Sequence, residues 1–186
     1  MKTYMIHFFR RLDWFFAKRI LRKTVIKRKL KDVEMYLDLI TPGISKTLAV
    51  HKTREEDMIQ VIREFLKPGM KVIDCGSNIG FYPLLEASIL KNSGSIYAIE
   101  PDSRNFKILK KNVKICPYGS VIKPFKIAAS NRSGVENMFV AKQSNLNKLS
   151  SKDDDAFSKR HSIDDIVEVK TMTLDDFCEK QNITPD

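Results

Sequence analysis

Residues 72–87 read VIDCGSNIGFYPLLEA. Two apolar residues, an acid at Asp74, glycines at positions 76 and 80, and then a helix-compatible run describe a buried strand that turns sharply into a helix. In an open α/β sheet, ligands bind outside the carboxyl ends of the strands, at this kind of corner. Gly76 lacks a Cβ, so the backbone there can take either sign of φ and let a ligand approach. Gly80, at the start of the helix, allows helix and strand to pack closely.

On the N-terminal side of this loop, TREEDMIQVIREFL begins at Thr53 with acids in its first turn and apolar residues at Met58, Ile59, Ile62, Phe65 and Leu66. That spacing predicts a helix, stopped at Lys67, Pro68 and Gly69, with a short strand over 70–75. On the C-terminal side the pattern predicts a helix over 81–91, a strand over 95–99, a helix over 103–115 and a strand over 121–128. The order is βαβαβ, the half-unit of a doubly wound sheet, so the fold class is α/β and Rossmann-like. An extra strand over 134–141, a polar stretch over 142–165, a strand over 166–171 and a helix over 174–180 complete the chain. Residues 32–50, with the turn signal Thr41, Pro42, Gly43, read as a connection carrying one helix or strand. The chain thus divides into a basic helical extension and linker, 1–50, and a domain, 51–186.

The loop excludes two common ligands. No lysine follows Gly80, where Phe81 stands, so the GxxxxGK[ST] phosphate grip is absent and ATP hydrolysis is not expected. The dinucleotide pattern GxGxxG is broken by Asn78, which occupies the position where a second glycine lets the backbone meet a pyrophosphate. Asp74 adds an anion nearby, unfavourable for phosphate and favourable for an ammonium group. Glu100, closing the second strand in IYAIEPD, lies about 20 residues beyond the glycines, the spacing at which an acid accepts hydrogen bonds from ribose hydroxyls. Glu100 alone suits NAD as well. Together with Asp74 and Asn78 it favours a cationic adenosine cofactor without phosphate, S-adenosylmethionine, over an NAD-dependent oxidoreductase.

Elsewhere the sequence offers contacts rather than chemistry. The formal charge of +10 lies wholly in residues 1–31, which hold eleven Lys or Arg and one acid, Asp13; the remainder balances. Met5, Phe8, Phe9, Leu12, Phe15, Phe16 and Ile20 recur at spacings of three and four and predict an amphipathic helix. Such a helix either packs on the body with its charges solvated or lies at the headgroup boundary of an anionic bilayer. No recognition motif accompanies the charge, which argues against nucleic acid. Cys75, Cys116 and Cys178 are odd in number and far apart, as expected of buried thiols in a reducing, cytoplasmic compartment. His7, His51 and His161 lack the setting of a catalytic base. Asp153, Asp154 and Asp155, with Asp164 and Asp165, lack the spacing of a calcium loop, and no metal is expected.

The stretches VIDCGSNIGFYPLLEA, AIEPDSRNFKILKKNV, KIAAS, SGVENMFVA and VKTMTLDDFCEK resemble the FkbM family of S-adenosylmethionine-dependent methyltransferases, in register from about Thr53 onward. The resemblance implies a class I methyltransferase fold, of which this chain carries the N-terminal βαβαβ half. It implies that Asp74, Gly76, Ser77, Asn78 and Gly80 form the methionine-side loop, that Glu100 holds the ribose, and that Ala128 and Ala129 border the adenine. The implied reaction is O-methylation of a hydroxyl on a sugar or secondary metabolite; the resemblance identifies no catalytic base. Family members continue after a segment like NITPD into a further apolar strand, so a chain ending at Asp186 reads as C-terminally truncated. A remnant that binds cofactor, a partner or a membrane without catalysis is the alternative expectation.

Overall fold

The computed structural model describes residues 2–41, 43–143, 146–150, 159–160 and 162–186. An 18-residue helix, α1 (Lys2–Arg19), leads into an antiparallel hairpin of β1 (Val25–Lys29) and β2 (Glu34–Asp38), and then into α2 (Gly43–His51) and α3 (Glu56–Phe65). The central unit follows: β3 (Lys71–Cys75), α4 (Phe81–Leu90), β4 (Ser95–Ile99), α5 (Ser103–Ile115) and β5 (Ile122–Phe125), with the strands parallel in the order β3-β4-β5. A second sheet is built from β6 (Ala128–Ala129), β7 (Gly134–Ala141), β8 (Lys148–Leu149) and β9 (Ile163–Met172), in the order β6-β9-β7-β8; α6 (Leu174–Gln181) closes the fold. This is the predicted βαβαβ unit, preceded by the basic helix.

Alternation along β4 explains the layering. Ile96 and Ala98 face α4 and α5, where Phe81, Leu84, Leu85, Ile108 and Leu109 complete the main core. Tyr97 and Ile99 point to the other face, onto Phe177 of α6. There the Phe125 and Phe177 rings meet edge to face, with centroids 5.0 Å apart. Asp102 starts α5 by accepting the backbone N–H groups of Arg104 and Asn105, and Thr173 starts α6 by accepting that of Asp176.

The first 50 residues share the main core with the central unit. Met35, Leu37 and Leu39 are fully buried beside residues of α4 and α5. Asn112, also fully buried, fixes this union: its side chain accepts from Tyr36 N (2.6 Å) and donates to Tyr36 O (3.0 Å) and Ile79 O (2.7 Å). Arg104 holds buried Asp38 through two bonds, Nε to Oδ2 at 2.5 Å and Nη2 to Oδ1 at 2.7 Å.

Three expectations change. The linker is a hairpin plus a helix, and one of its strands, β1, lies inside the basic stretch. Ile26 and Leu30 are buried there while Lys27 and Lys29 stay exposed, so a strand period is hidden under the charge. The strand expected over 121–128 is two: β5 pairs with β4, whereas β6 pairs with β9 in the other sheet. The last strand, β9, is longer than 166–171 because it pairs along β7 from Ile163 to Thr171 and continues with Met172 beside β6.

Among the described residues β3 pairs only with β4, and its outer edge is open except at Lys71, whose N and O both bond Asp186. A groove of about 530 Å³ runs beside that edge, walled by Val61, Phe65, Val72, Ile73 and Leu174. Over the described residues no helix is long and apolar enough to cross a membrane.

Candidate functional site

The turn from β3 into α4 is held by its own hydrogen bonds. Gly76 N and Ser77 N both donate to Ile99 O, each at 2.9 Å, which pins the loop to the end of β4. Asn78 N donates to Glu100 Oε2 (2.8 Å), Ile79 N to Asn78 Oδ1 (2.9 Å), and Gly80 N to Ser77 O (2.8 Å). Three residues of this turn have left-handed backbones, Gly76 (φ +82°), Asn78 (φ +51°) and Gly80 (φ +94°). Asn tolerates that region better than most side chains, which accounts for Asn78. A Cβ on Gly80 would come within 2.7 Å of Leu109 Cδ1, the close helix packing the sequence implied; one on Gly76 would meet nothing within 4 Å.

Every backbone N–H from Gly76 to Gly80 is therefore used inside the protein. A loop that cradles a pyrophosphate needs such amides turned toward the ligand. This loop has none of these five to offer, so it suits a ligand without phosphate.

Beside the loop lies a cavity of about 300 Å³. Gly76, Asn78, Glu100 and Ala128, four of the predicted site residues, line it together with Ala129. Glu100 is buried; besides Asn78 N, its carboxylate accepts Asp102 N (2.8 Å). Burial pushes its pKa up to about 7, with the two backbone amides and Asn105 pulling the other way. The group is held rigidly at the cavity wall.

Asp74, Ser77 and Gly80 do not line the cavity. Ser77 Oγ donates to Asp74 Oδ1 at 2.7 Å, so the Asp74 carboxylate braces the turn from behind. Its charge also acts on Glu86 of α4, which is 6% exposed and whose Oε2 has no hydrogen-bond partner among the described residues. Burial, and then the Asp74 charge, raise Glu86 to about 8; burial also raises Asp74. Neither carboxyl group has an ion-pair partner among the described residues.

Sequence reading missed one wall of the cavity. Met138 of β7, Leu149 of β8 and Asn147 between them close it, with Pro101 and Cys75 at the sides. Asn147 Oδ1 accepts Ala141 N (2.9 Å), while its Nδ2 is buried without a partner among the described residues. Buried polar groups are nearly always paired, and this donor at the cavity wall can meet a ligand acceptor. Nothing in the local pattern marks Asn147, which lies in the polar stretch just before β8.

Cys75 corrects an expectation: it is exposed and borders the cavity instead of entering the core. Ile73, two residues earlier on the same face, packs on the Phe177 cluster, and Cys75 lies past the reach of that cover. Cys116 and Cys178 are half-buried, and no cysteine is fully buried. His7 and His51 stack edge to face at 4.8 Å, far from the loop in sequence and outside the cavity lining. His161 and Asp153 to Asp155 lie outside the described residues; Asp164 and Asp165 are exposed. No cluster of three metal-ligating side chains occurs among the described residues.

A sequence model of the methyltransferase FkbM domain matches residues 74–185, which include the loop, the cavity and α6. No curated protein matches the chain. Among solved structures, P. horikoshii TYW2 in complex with MeSAdo is 18% identical, with 60% of this chain and 39% of that one covered and a TM-score of 0.46. A SAM-dependent methyltransferase from Agrobacterium tumefaciens is 14% identical, covering 57% of this chain and 33% of its own, with a TM-score of 0.43. M. jannaschii TYW2 in complex with AdoMet is 18% identical, covering 55% and 43%, with a TM-score of 0.41. The chain spans less than half the length of each of these structures.

Proposed function

The chain belongs to the methyltransferase FkbM domain family, and from that premise we propose that its cavity binds S-adenosylmethionine for methyl transfer to a hydroxyl of a small-molecule or glycan acceptor. The observation that carries the reading is the loop whose five backbone amides, Gly76 to Gly80, are all bonded within the protein. It leaves a buried acid, Glu100, at the wall of a cavity and provides no amides from those five for a pyrophosphate.

The residues divide the work by chemistry. Glu100 accepts hydrogen bonds from ribose hydroxyls, each such charge-assisted bond contributing about 1.5 to 3 kcal/mol. Ala128, Ala129, Met138 and Leu149 supply apolar walls for the adenine, and Asn147 Nδ2 donates to one of its ring nitrogens. Asp74, through Ser77, keeps the turn in shape. Bound there, the cofactor supplies a methyl carbon on a cationic sulfur. The protein's part is alignment of the acceptor for in-line displacement and exclusion of water. The choice of a hydroxyl as acceptor rests on the family resemblance.

Isothermal titration of the full chain with S-adenosylmethionine, S-adenosylhomocysteine and NAD tests this. Binding of the first two and not of NAD is expected. NAD binding without affinity for S-adenosylhomocysteine would overturn it.

A further inference from the structure

The helix α1 meets the body along one narrow stripe. Trp14 and Ala17 are buried, the His7 ring stacks on His51 of α2, and Arg10 Nη1 donates to Val50 O at 2.9 Å. Asp13 is bonded by Arg28 of β1. At about 100° per residue, these contacts fall on one side of the helix.

The opposite side carries the apolar stripe, and it faces water. Met5, Phe8, Phe9, Leu12, Phe15 and Phe16 are each 47 to 61% exposed. An amphipathic helix packed on a protein ordinarily turns its richest apolar face inward. Here a second, aromatic face is presented outward from Met5 to Phe16, along about 17 Å of helix. Monomeric proteins seldom leave a continuous apolar surface of that extent uncovered.

Cations border that face. Arg11 and Lys18 lie on its flank, Arg19 lies within it, and Arg22 and Lys23 follow at its end; none of the five makes an ion pair among the described residues. Long basic side chains can lay their stems along apolar surface and lift their charged ends to a phosphate layer. A second copy of the chain would bring these cations against their own kind, whereas an anionic bilayer complements them. No described helix is apolar enough to span, so the helix lies in the surface plane.

We propose that α1 docks the folded protein on an anionic lipid surface, its aromatic face set at the boundary between headgroups and acyl chains. The body-facing stripe fixes the helix in place, so docking sets the orientation of the whole protein rather than tethering it by a loose tail.

Co-sedimentation of the full chain with vesicles of phosphatidylcholine alone, and of equimolar phosphatidylcholine and phosphatidylglycerol, tests the proposal. Partition onto the anionic vesicles is expected to be stronger by about tenfold or more and to weaken in high salt. The triple variant Phe8→Ser, Phe15→Ser, Phe16→Ser, altered only at exposed positions, is expected to keep its thermal midpoint and to lose vesicle binding. Absence of binding at low salt overturns the proposal. So does a variant that binds undiminished, or sedimentation velocity showing a wild-type dimer, abolished in the variant, without vesicle binding. Trp14 is the only tryptophan; unchanged emission on binding supports docking of the packed helix, and a shift overturns it.

Discussion

Replacing Glu86 by glutamine is expected to flatten the fall in stability that the wild-type protein shows as pH rises. Glu86 is buried on α4 with one oxygen unpartnered and with the Asp74 charge acting on it, and its pKa is raised from 4.5 to about 8. A folded-state value above the unfolded one means that the folded protein holds the proton more tightly. Stability is then greatest below about pH 4.5 for this group, declines as pH rises toward 8, and stays reduced above it. At 1.36 kcal/mol per unit, the shift corresponds to about 4 to 5 kcal/mol at alkaline pH, a large part of an ordinary folding free energy of about 5 to 15 kcal/mol. Glutamine keeps the shape and cannot ionise. Urea unfolding of both proteins at intervals from about pH 5 to about pH 9 reads the difference directly. The variant should gain on the wild type by about 3 to 5 kcal/mol across that range, with Glu100 contributing equally to both curves. Two parallel curves would refute the burial of an ionisable, unpaired carboxyl at this position.

Glu100→Ala is expected to weaken S-adenosylhomocysteine binding by about 1.5 to 3 kcal/mol, measured by titration calorimetry, and an unchanged Kd would remove Glu100 from the site. On the proposed reading ribose hydroxyls donate to the ionised carboxylate, so wild-type affinity should rise as pH passes upward through about 7, the raised pKa of Glu100; a flat profile from about pH 5.5 to 8.5 contradicts that contact. Asn147→Asp retains the acceptor for Ala141 N and loses the donor, so about a tenfold loss of affinity with a preserved fold is expected, and equal affinity argues against an adenine contact. Gly80→Ala combines a left-handed backbone with a Cβ 2.7 Å from Leu109 Cδ1 and should destabilise the protein by about 1 to 3 kcal/mol in urea unfolding.

The parts of this fold that were legible in the sequence are those fixed by local chemistry. The glycine turn, the short apolar strand β4 and the helix α5 starting at Asp102 each carry their signal within a few residues, and the structure reproduces their order and bounds closely. The hairpin of β1 and β2 was hidden because Lys27, Arg28 and Lys29 mask the alternation of Ile26 with exposed positions. The wall of the cavity made by Met138, Asn147 and Leu149 was hidden for another reason. It depends on β7 and β8 folding back over a loop some sixty residues earlier in the chain, and no periodicity records a contact of that range. Asp74 shows the same divide: its acidity was plain, whereas its engagement with Ser77 and its action on Glu86 are matters of side-chain placement. The stripe on α1 was legible as a stripe, but the packing of the opposite face, with Trp14 and Ala17 buried and His7 and Arg10 engaging α2, is a long-range contact.

The self-bonded turn from Gly76 to Gly80 also bears on kinetics. A loop that must order around its ligand adds an entropic cost to every binding event and slows capture. This one has already satisfied its amides in the free protein, so it behaves as a preset die rather than a closing hand. Its amide hydrogens should exchange slowly with solvent before any ligand arrives and change little afterward. Variation in the β7 and β8 wall, which Met138, Asn147 and Leu149 contribute to the cavity, can alter what the site accepts without disturbing the turn that defines it.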